Sequence, residues 1–580
     1  IWGIGQIADD SPKKAEPLVN LLSDEDPEII AQVLKVLGDV KYTKAATSFI
    51  GLLAHENARV RFFAAQALGR IKQKDAVQPL IDMLEANNDE DVYLRHAAVL
   101  ALSRIGNAEP LIALSNNPNK NLRLAAVLVL RKLQDARIAT FLNDEDPYIV
   151  TETARAINDD WSIEGALPAL ANLLTSDRFT DSEPLLRRSI NAALRVGGDK
   201  ELDNLIAFAK RQDVTSVLKR EALAALSTWT APSVLDRVDG RFRGEIHRDN
   251  TVIKSKLIKE VPIFLEDKDP NVLIGIADAL RLIEIDAFND KLFQIFKTNT
   301  SPQVKSTMLQ ALGDLNFKDI EMAVQMGMRN NEQMVRSTAI GLIEKLDITK
   351  EKLPNVVLPI FKYGTIGDQQ KMLSTLGELP FEKTETILEN LALKAKRNQL
   401  SKSITLDLTE AIEKSKSKNL MAQIEQVNNQ SNTMAAYKDA LFGGDAGKGY
   451  DVFNNNSTAQ CVRCHAINNA GGKVGPELGH IARTLNKEQI LEALIEPSAR
   501  LAPGFGSVIV TLKDGQVITG VLEKENTHEL ILRTSEAEPM EIPISRIKKR
   551  ENMVSSMPPM GTLINKRELR DLIAYLSTLK

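Results

Sequence analysis

The sequence is poor in the residues that specialised chemistry usually requires. It has two cysteines in 580 residues, so no disulfide framework can organise it. Aromatics make up 5% and the formal net charge is −4, which gives no electrostatic reason to invoke nucleic acid or an anionic membrane surface. No uninterrupted apolar run approaches the length of a membrane-spanning helix. A nucleophile elbow, a zinc-protease helix and a dinucleotide fingerprint are all missing, so no catalytic residue is assigned. Gly444-Asp445-Ala446-Gly447-Lys448-Gly449 superficially suggests a phosphate loop. It lacks that loop's first glycine, and Gly449 stands where Ser or Thr should bind magnesium. There is no initiating Met and no signal-peptide pattern. The chain opens at Ile1-Trp2-Gly3, in what reads as the middle of a helical hairpin, so a further segment is expected upstream.

What is present is a chain of globular composition, 43% hydrophobic and 26% charged, too long for a single hydrophobic core. Its first 427 residues read as a repeat array. Leu37-Gly38, Leu68-Gly69, Leu102-Ser103 and Leu130-Arg131 recur at spacings of 31, 34 and 28 residues. Each follows a polar turn, such as Asp24-Glu25-Asp26-Pro27 or Asp89-Glu90-Asp91. An Arg stands near the start of each second helix (Arg61, Arg95, Arg123), with paired alanines in its middle (Ala64-Ala65, Ala97-Ala98, Ala125-Ala126). The pattern weakens and returns at Leu194, Leu226, Leu280, Leu312, Leu342 and Leu376. A period near 30 with helical spacing of apolar residues predicts a solenoid of helix pairs, because one pair cannot bury its apolar face alone. Asp caps a helix start and Pro suits its first turn. The Asp26-Pro27 and Asp269-Pro270 turns resemble those of HEAT repeats, a likeness that implies architecture and not function. Between Leu226 and Leu280 lie 54 residues, and Trp229 to Asn250 reads as an irregular insertion with a short hairpin, either a docking loop or an elaborated connection. His55, His96 and His247 lack ligand-spaced partners and read as surface or cap residues.

A polar stretch, Asn428-Asn429-Gln430-Ser431-Asn432-Thr433, marks a linker over residues 428–444. A second domain, 445–580, is expected after it, with Asp445 as the N-cap of its first helix. Both cysteines fall here, in Cys461-Val462-Arg463-Cys464-His465. A redox disulfide or half of a zinc site would use the same spacing, but a structural zinc site wants four Cys or His ligands and no second cysteine pair exists. On one helical turn, residues three apart share a face, so both sulfurs can reach a porphyrin edge while the adjacent His465 points under the ring. This is the attachment pattern of a c-type haem.

The surroundings resemble the cytochrome c family. Gly449 and Phe453 match its small-then-aromatic pair on the first helix. Val474-Gly475-Pro476-Glu477-Leu478 is similar to its segment beside the proximal histidine, and Arg570 to Leu576 to its last helix. The resemblance implies thioethers at Cys461 and Cys464, iron ligation by His465, a place for Gly475 and Pro476 at the cofactor, and a distal ligand in Met557-Pro558. Met540, Met553 and Met560 compete with Met557, and His480 is a further candidate on the proximal side. His465 and Met557 are 92 residues apart, more than a minimal cytochrome needs. The excess, about 506–550, reads as a small antiparallel β insert, with Lys513-Asp514-Gly515 as a hairpin turn. The basic run Arg546 to Arg550 is a partner patch or a solvated strand end.

The combination resembles a haem-binding domain found at the C-terminus of large proteins in Planctomycetes, Verrucomicrobia and Bacteroidetes. Matching residues include Ile495-Glu496-Pro497-Ser498, Asp514-Gly515, Gly520 and Ser556-Met557-Pro558. In that group HEAT-like repeats often precede the domain, and a propeller resembling quinoprotein sugar dehydrogenases often lies upstream. The overall expectation is a mainly α protein: a HEAT-like α-solenoid, then a cytochrome c-like helical domain with a β insert. One covalent haem c would relay electrons from a dehydrogenase domain or partner to a respiratory acceptor outside the cytoplasm, in the periplasm, with membrane association through partners. The alternative is a HEAT scaffold whose surface binds proteins and whose haem acts as a sensor.

Overall fold

The computed structural model describes residues 1–428, 433–534, 536 and 538–580, and the backbone alone for 425–428 and 433. Two compact units divide the chain, Ile1–Phe317 and Lys318–Lys580.

The first unit is a stack of helix pairs, the solenoid that the repeat predicts. Its second helices include Pro27–Asp39, Ala58–Arg70, Val92–Ile105, Lys120–Leu133 and Pro147–Asn158. Each starts at a side chain that accepts an otherwise orphaned N–H: Asp26 from Glu28, Asn57 from Arg59, Asp91 from Tyr93, Asn119 from Asn121 and Asp146 from Tyr148. The recurring arginine secures the turn before the helix. Arg61 donates to the carbonyls of His55 and Glu56, and Arg123 to that of Asn117. The leucine–glycine signature marks the helix crossings. A Cβ on Gly38 would lie 2.8 Å from Ala67 Cα, and one on Gly69 only 2.6 Å from Ala101 Cα. The paired alanines are buried where the next helix packs, so small residues set the close approach.

The irregular insertion is a strap. Residues between Ser227 and Asn250 form no helix and pair only through the isolated antiparallel bridge Leu235↔Phe242. Its arginines satisfy carbonyls at the ends of neighbouring helices. Arg243 donates to the carbonyls of Asn158 and Asp160, and Arg248 to those of Leu194 and Trp229. Arg243 also pairs with Asp236 and Asp239. Burial alone would raise the Asp236 carboxyl, but the N–H groups of Val238 and Asp239, with Arg243 and Asn191, hold it below the ordinary carboxylate range. These bonds fit the elaborated connection more closely than a free docking loop.

The second unit begins with further helix pairs, among them Ile366–Glu378 and Thr405–Ser415. Of the stretch read as a linker, residues 429–432 lie outside the described residues. Thr433–Leu441 is a 3₁₀ helix, and its Ala440 and Leu441 are buried in the C-terminal core. That core gathers three helices, Ala446–Asn455, Lys487–Ile495 and Lys566–Leu576. Asp445 caps the first of them, as the sequence predicts, accepting from Gly447 and Lys448. Gly449 lies where the first and last helices cross. A Cβ there would stand 1.9 Å from the Asp571 carbonyl oxygen and 2.7 Å from Tyr575 Cβ. The Phe453 and Tyr575 rings pack 6.0 Å apart.

Two sheets accompany these helices. β1 (Ala466–Ile467) and β2 (Ala470–Gly471) form a minimal hairpin. β3 (Ser507–Leu512), β4 (Val517–Glu525), β5 (Glu529–Arg533), β6 (Met540–Pro543) and β7 (Ile547–Asn552) form an antiparallel sheet in the order β6-β5-β4-β3-β7. The alternation of β3, with Val508, Val510 and Leu512 buried, packs one face into a separate small core. The basic run is β7, an edge strand. Arg546 pairs with Asp514, and Arg550 with Glu525, the kind of charged edge that discourages further strand pairing.

Candidate haem-attachment site

The site is built on one turn of helix and the loop folded back over it. Asn456 accepts from the N–H groups of Thr458 and Ala459, and Gln460 adopts a left-handed conformation with φ +47° that opens the turn Cys461–Cys464. The two thiols therefore emerge three residues apart on a single turn. Both are free; Cys464 is exposed and Cys461 half-buried. Burial pushes the Cys461 thiol up. The His465 N–H closes the turn onto the Cys461 carbonyl at 2.9 Å.

Three backbone bonds hold the return loop. Gly472 donates to Val462 at 2.8 Å, Gly475 to Cys464 at 2.7 Å, and Leu478 to Ala466 at 2.9 Å. Glu477 acts as an internal brace, its carboxylate accepting from the N–H groups of Asn468 and Gly479. Between β1 and β2, Asn468 and Asn469 take φ values of +53° and +68°, the demand of a two-residue hairpin turn. Neither the hairpin nor the Glu477 brace belongs to the sequence reading; the Asn-Asn pair is the signal that would have found the hairpin.

This frame presents the Pro476 carbonyl to the His465 ring, with Nδ1 2.9 Å from the oxygen. A carbonyl can only accept, so Nδ1 is the donor in this contact, and in the neutral ring Nε2 is the nitrogen open to a metal. Gly475 lies against the same ring: a Cβ there would come 2.5 Å from Cε1 and 2.8 Å from Nδ1. His480 is exposed at the start of the short helix Ile481–Thr484.

The methionine segment is anchored at its root. Asn552 donates to the carbonyls of Ser498 and Ala499, and the Ser498 hydroxyl accepts from the N–H of Ser555. Met557 is half-buried and packs against the C-terminal core, as do Cys461, Val462, Ile467, Leu478 and Ile481. Met560 lies inside that core, Met540 packs against the β-sheet core, and Met553 is exposed. Cys461 and Met557 thus share one apolar cluster. The residues fit a covalent haem: two thiols on one turn, an adjacent imidazole held through Nδ1 by a backbone carbonyl, and half-buried apolar side chains suited to a porphyrin face. Among the described residues, no group of three or more His, Cys, Asp or Glu gathers as a metal cluster. No described helix is long and apolar enough to cross a membrane.

The comparisons bear on the repeat region. The family model for HEAT repeats matches residues 15–92, where the capped second helices and Gly–Ala crossings begin. No curated protein matches the chain. Among solved structures, importin beta is similar over 83% of this chain and 70% of its own, at 14% identity and TM-score 0.37. An engineered protein is similar over 57% and 98%, at 18% identity and TM-score 0.30. The complex of CpcE and CpcF of phycocyanin lyase from Nostoc sp. PCC7120 is similar over 37% and 87%, at 21% identity and TM-score 0.21. Residues 15–92 thus match HEAT repeats, within a mainly helical chain of stacked helix pairs that also carries small sheets.

Proposed function

We propose that residues 445–580 form a cytochrome c-like domain carrying one covalent haem c. In this reading the chain relays electrons from a dehydrogenase domain or partner to a respiratory acceptor in an extracytoplasmic compartment, and the HEAT array serves as its scaffold. The observation that carries the reading is the His465 Nδ1 to Pro476 carbonyl bond, which leaves Nε2 as the ligating nitrogen. Cys461 and Cys464 would hold the group through their sulfurs, and His465 and Met557 would supply ligands to its iron. Gly475 leaves room for the imidazole, and the Pro476 carbonyl orients its ring. Met557 is tied back through Ser555 to Ser498. When bound, the group supplies one-electron exchange between ferrous and ferric iron. The chain's own residues set ligation, exclude water through the apolar cluster, and fix the site within the helical core.

The test is a covalent haem stain after denaturing electrophoresis of extracytoplasmically matured protein. The signal is expected in the wild type and absent in the Cys461→Ala, Cys464→Ala double variant. A disulfide between the two cysteines in haem-free matured protein would overturn the reading. The ferric wild type should show the near-infrared methionine-to-iron band, lost in Met557→Ala and kept in Met560→Ala.

A second reading, a HEAT scaffold with a haem sensor, draws support from the HEAT match at residues 15–92. An open distal site with slow electron exchange would favour it. A six-coordinate haem rapidly reduced by a dehydrogenase that stays with the full chain in size-exclusion chromatography would favour the relay. Protein partners on the repeat surface belong to both readings.

A further inference from the structure

In the first unit, a groove of about 800 Å³ runs between the start of helix Val92–Ile105, the end of helix Lys120–Leu133 and the turn Asp159–Trp161. Val99 and Leu128 contribute apolar lining. Two aromatics stand at it almost wholly in solvent, Trp161 at 81% and Tyr93 at 72% exposed. Large aromatics are enriched at interaction surfaces, where they supply contact area with few rotamers to freeze.

The Trp161 turn is held in advance. Asp160 takes φ +56° and Ser162 φ +27°. Asp159 is clamped through both oxygens by Arg188, and the Asp160 carbonyl accepts from Arg243 of the strap. The Asp160 N–H donates to Asp239, and the Asp160 carboxylate takes Arg131 and Arg241. A backbone fixed this way loses little freedom when a ligand covers the indole. The strap therefore positions an exposed aromatic as well as closing helix ends.

The charges at the groove are asymmetric. Each lining carboxylate is already taken, Asp159 by Arg188 and Asp160 by Arg131 and Arg241. Arg95 is neutralised by Asp89. Lys132 lines the same groove and makes no ion pair with a carboxylate among the described residues. Among the lining arginines and lysines, exposed Lys132 is thus the one still available to meet an anion.

We propose that this groove binds an extended segment of a partner protein, an apolar anchor stacked on Trp161 and Tyr93 with an adjacent carboxylate on Lys132. The proposal rests on the scaffold role of the repeats and is independent of the haem. The probes are two fluorescent dodecapeptide pools with a central Trp or Leu, one flanked by Glu and one by Lys, titrated into the full chain by anisotropy. The Glu pool should bind at least tenfold tighter at low salt. Trp161→Ala, which removes an exposed side chain and should leave the melting temperature unchanged, should weaken it at least tenfold. Lys132→Glu should abolish the preference between pools. Equal or tighter binding of the Lys pool would overturn the proposal. Glu-pool binding that survives Trp161→Ala would overturn the groove and leave the scaffold role standing. Concentration-dependent self-association abolished by Trp161→Ala would make the occupant a second copy and also overturn it. Binding of neither pool would overturn the groove, and failure of any dehydrogenase to stay with the chain would separately remove the relay scaffold.

Discussion

Away from the 229–250 insertion, side-chain bonds between helices of the repeat region span about one repeat. Arg59 reaches Glu28 across 31 residues, Asn191 reaches Asn158 across 33, and Arg336 reaches Asp368 across 32. In the C-terminal region the corresponding bonds are several times longer in sequence. Asn456 to Glu568 spans 112 residues, Tyr437 to Gly561 124, the Asp445 N–H to Asp571 126, and Arg570 to Asp407 163. The first arrangement is a chain of nearest-neighbour interfaces, in which damage stays near its repeat. The second closes one core around its last helix, so a change in that helix is felt at both ends of the region. Slow, non-local assembly belongs to the second kind of contact.

The largest test of that difference is Asp407→Ala. Asp407 and Arg570 are buried and 2.8 Å apart. Removing the carboxylate leaves a buried guanidinium poorly compensated, a loss of about 3 kcal/mol. Unfolding of the second unit should shift accordingly while that of the first does not. Asp407→Leu with Arg570→Met should restore most of the stability, and failure to restore it would mean that Asp407 matters for something other than this pair.

Next is Gly449→Leu. Its first side-chain atom would stand 1.9 Å from a backbone oxygen, so the helices must part, at a cost of about 2–3 kcal/mol. Loss of melting temperature and weaker covalent haem staining should appear together. Unchanged stability would remove the crossing from the account.

In the repeat region, Asp26→Ala deletes one cap, worth about 1 kcal/mol. Hydrogen exchange should quicken in helix Pro27–Asp39 and its neighbours and leave residues 445–580 untouched. Exchange that quickens everywhere would break the contrast drawn above.

The smallest effect is a difference in pH response. Burial pushes the Asp439 carboxyl up, against the pull of Lys566 at 3.5 Å. Its folded pKa is above the unfolded value of about 3.9. The folded form therefore takes up the proton first, and stability rises as pH falls through the folded value toward the unfolded one. Asp236 has the opposite sign: its folded pKa is depressed, so its contribution is present above the unfolded value and lost as pH falls through the folded one. Mild acid should thus raise the protection factor, taken against intrinsic exchange at the same pH, around residues 433–441 and not around the strap. Asp439→Asn should remove the pH response there and raise stability at neutral pH by a fraction of a kcal/mol.

Local rules were enough to read the helix pairs, the caps at Asp26, Asp269 and Asp445, the strands of the insert and the attachment turn, because each depends on residues within one turn or one strand. The Gly449 crossing was legible only through the resemblance to the cytochrome c family, whose small-then-aromatic pair Gly449 and Phe453 match. Among the methionines, Met557 was favoured only through its resemblance to the family's Met-Pro segment. Met557 and Met560 differ by three residues, and packing adds that Met560 lies inside the core while Met557 is half-buried at its edge. The strap's place was legible as a break in the repeat, but its partners were not. Trp229 to Asn250 has no periodicity, and its arginines find carbonyls 54 and 85 residues away.

By itself, then, the sequence determined the repeat period, the helix starts, and the pairing of two thiols with an adjacent imidazole, since all three follow from spacing along a helix. Tertiary structure alone decided which nitrogen of His465 meets a backbone acceptor, because that depends on a carbonyl 11 residues on, brought back by the Glu477-braced loop. It likewise decided that Asp407 and Arg570 meet. A charge pair 163 residues apart leaves no periodic trace in the sequence and forms only once the last helix has packed.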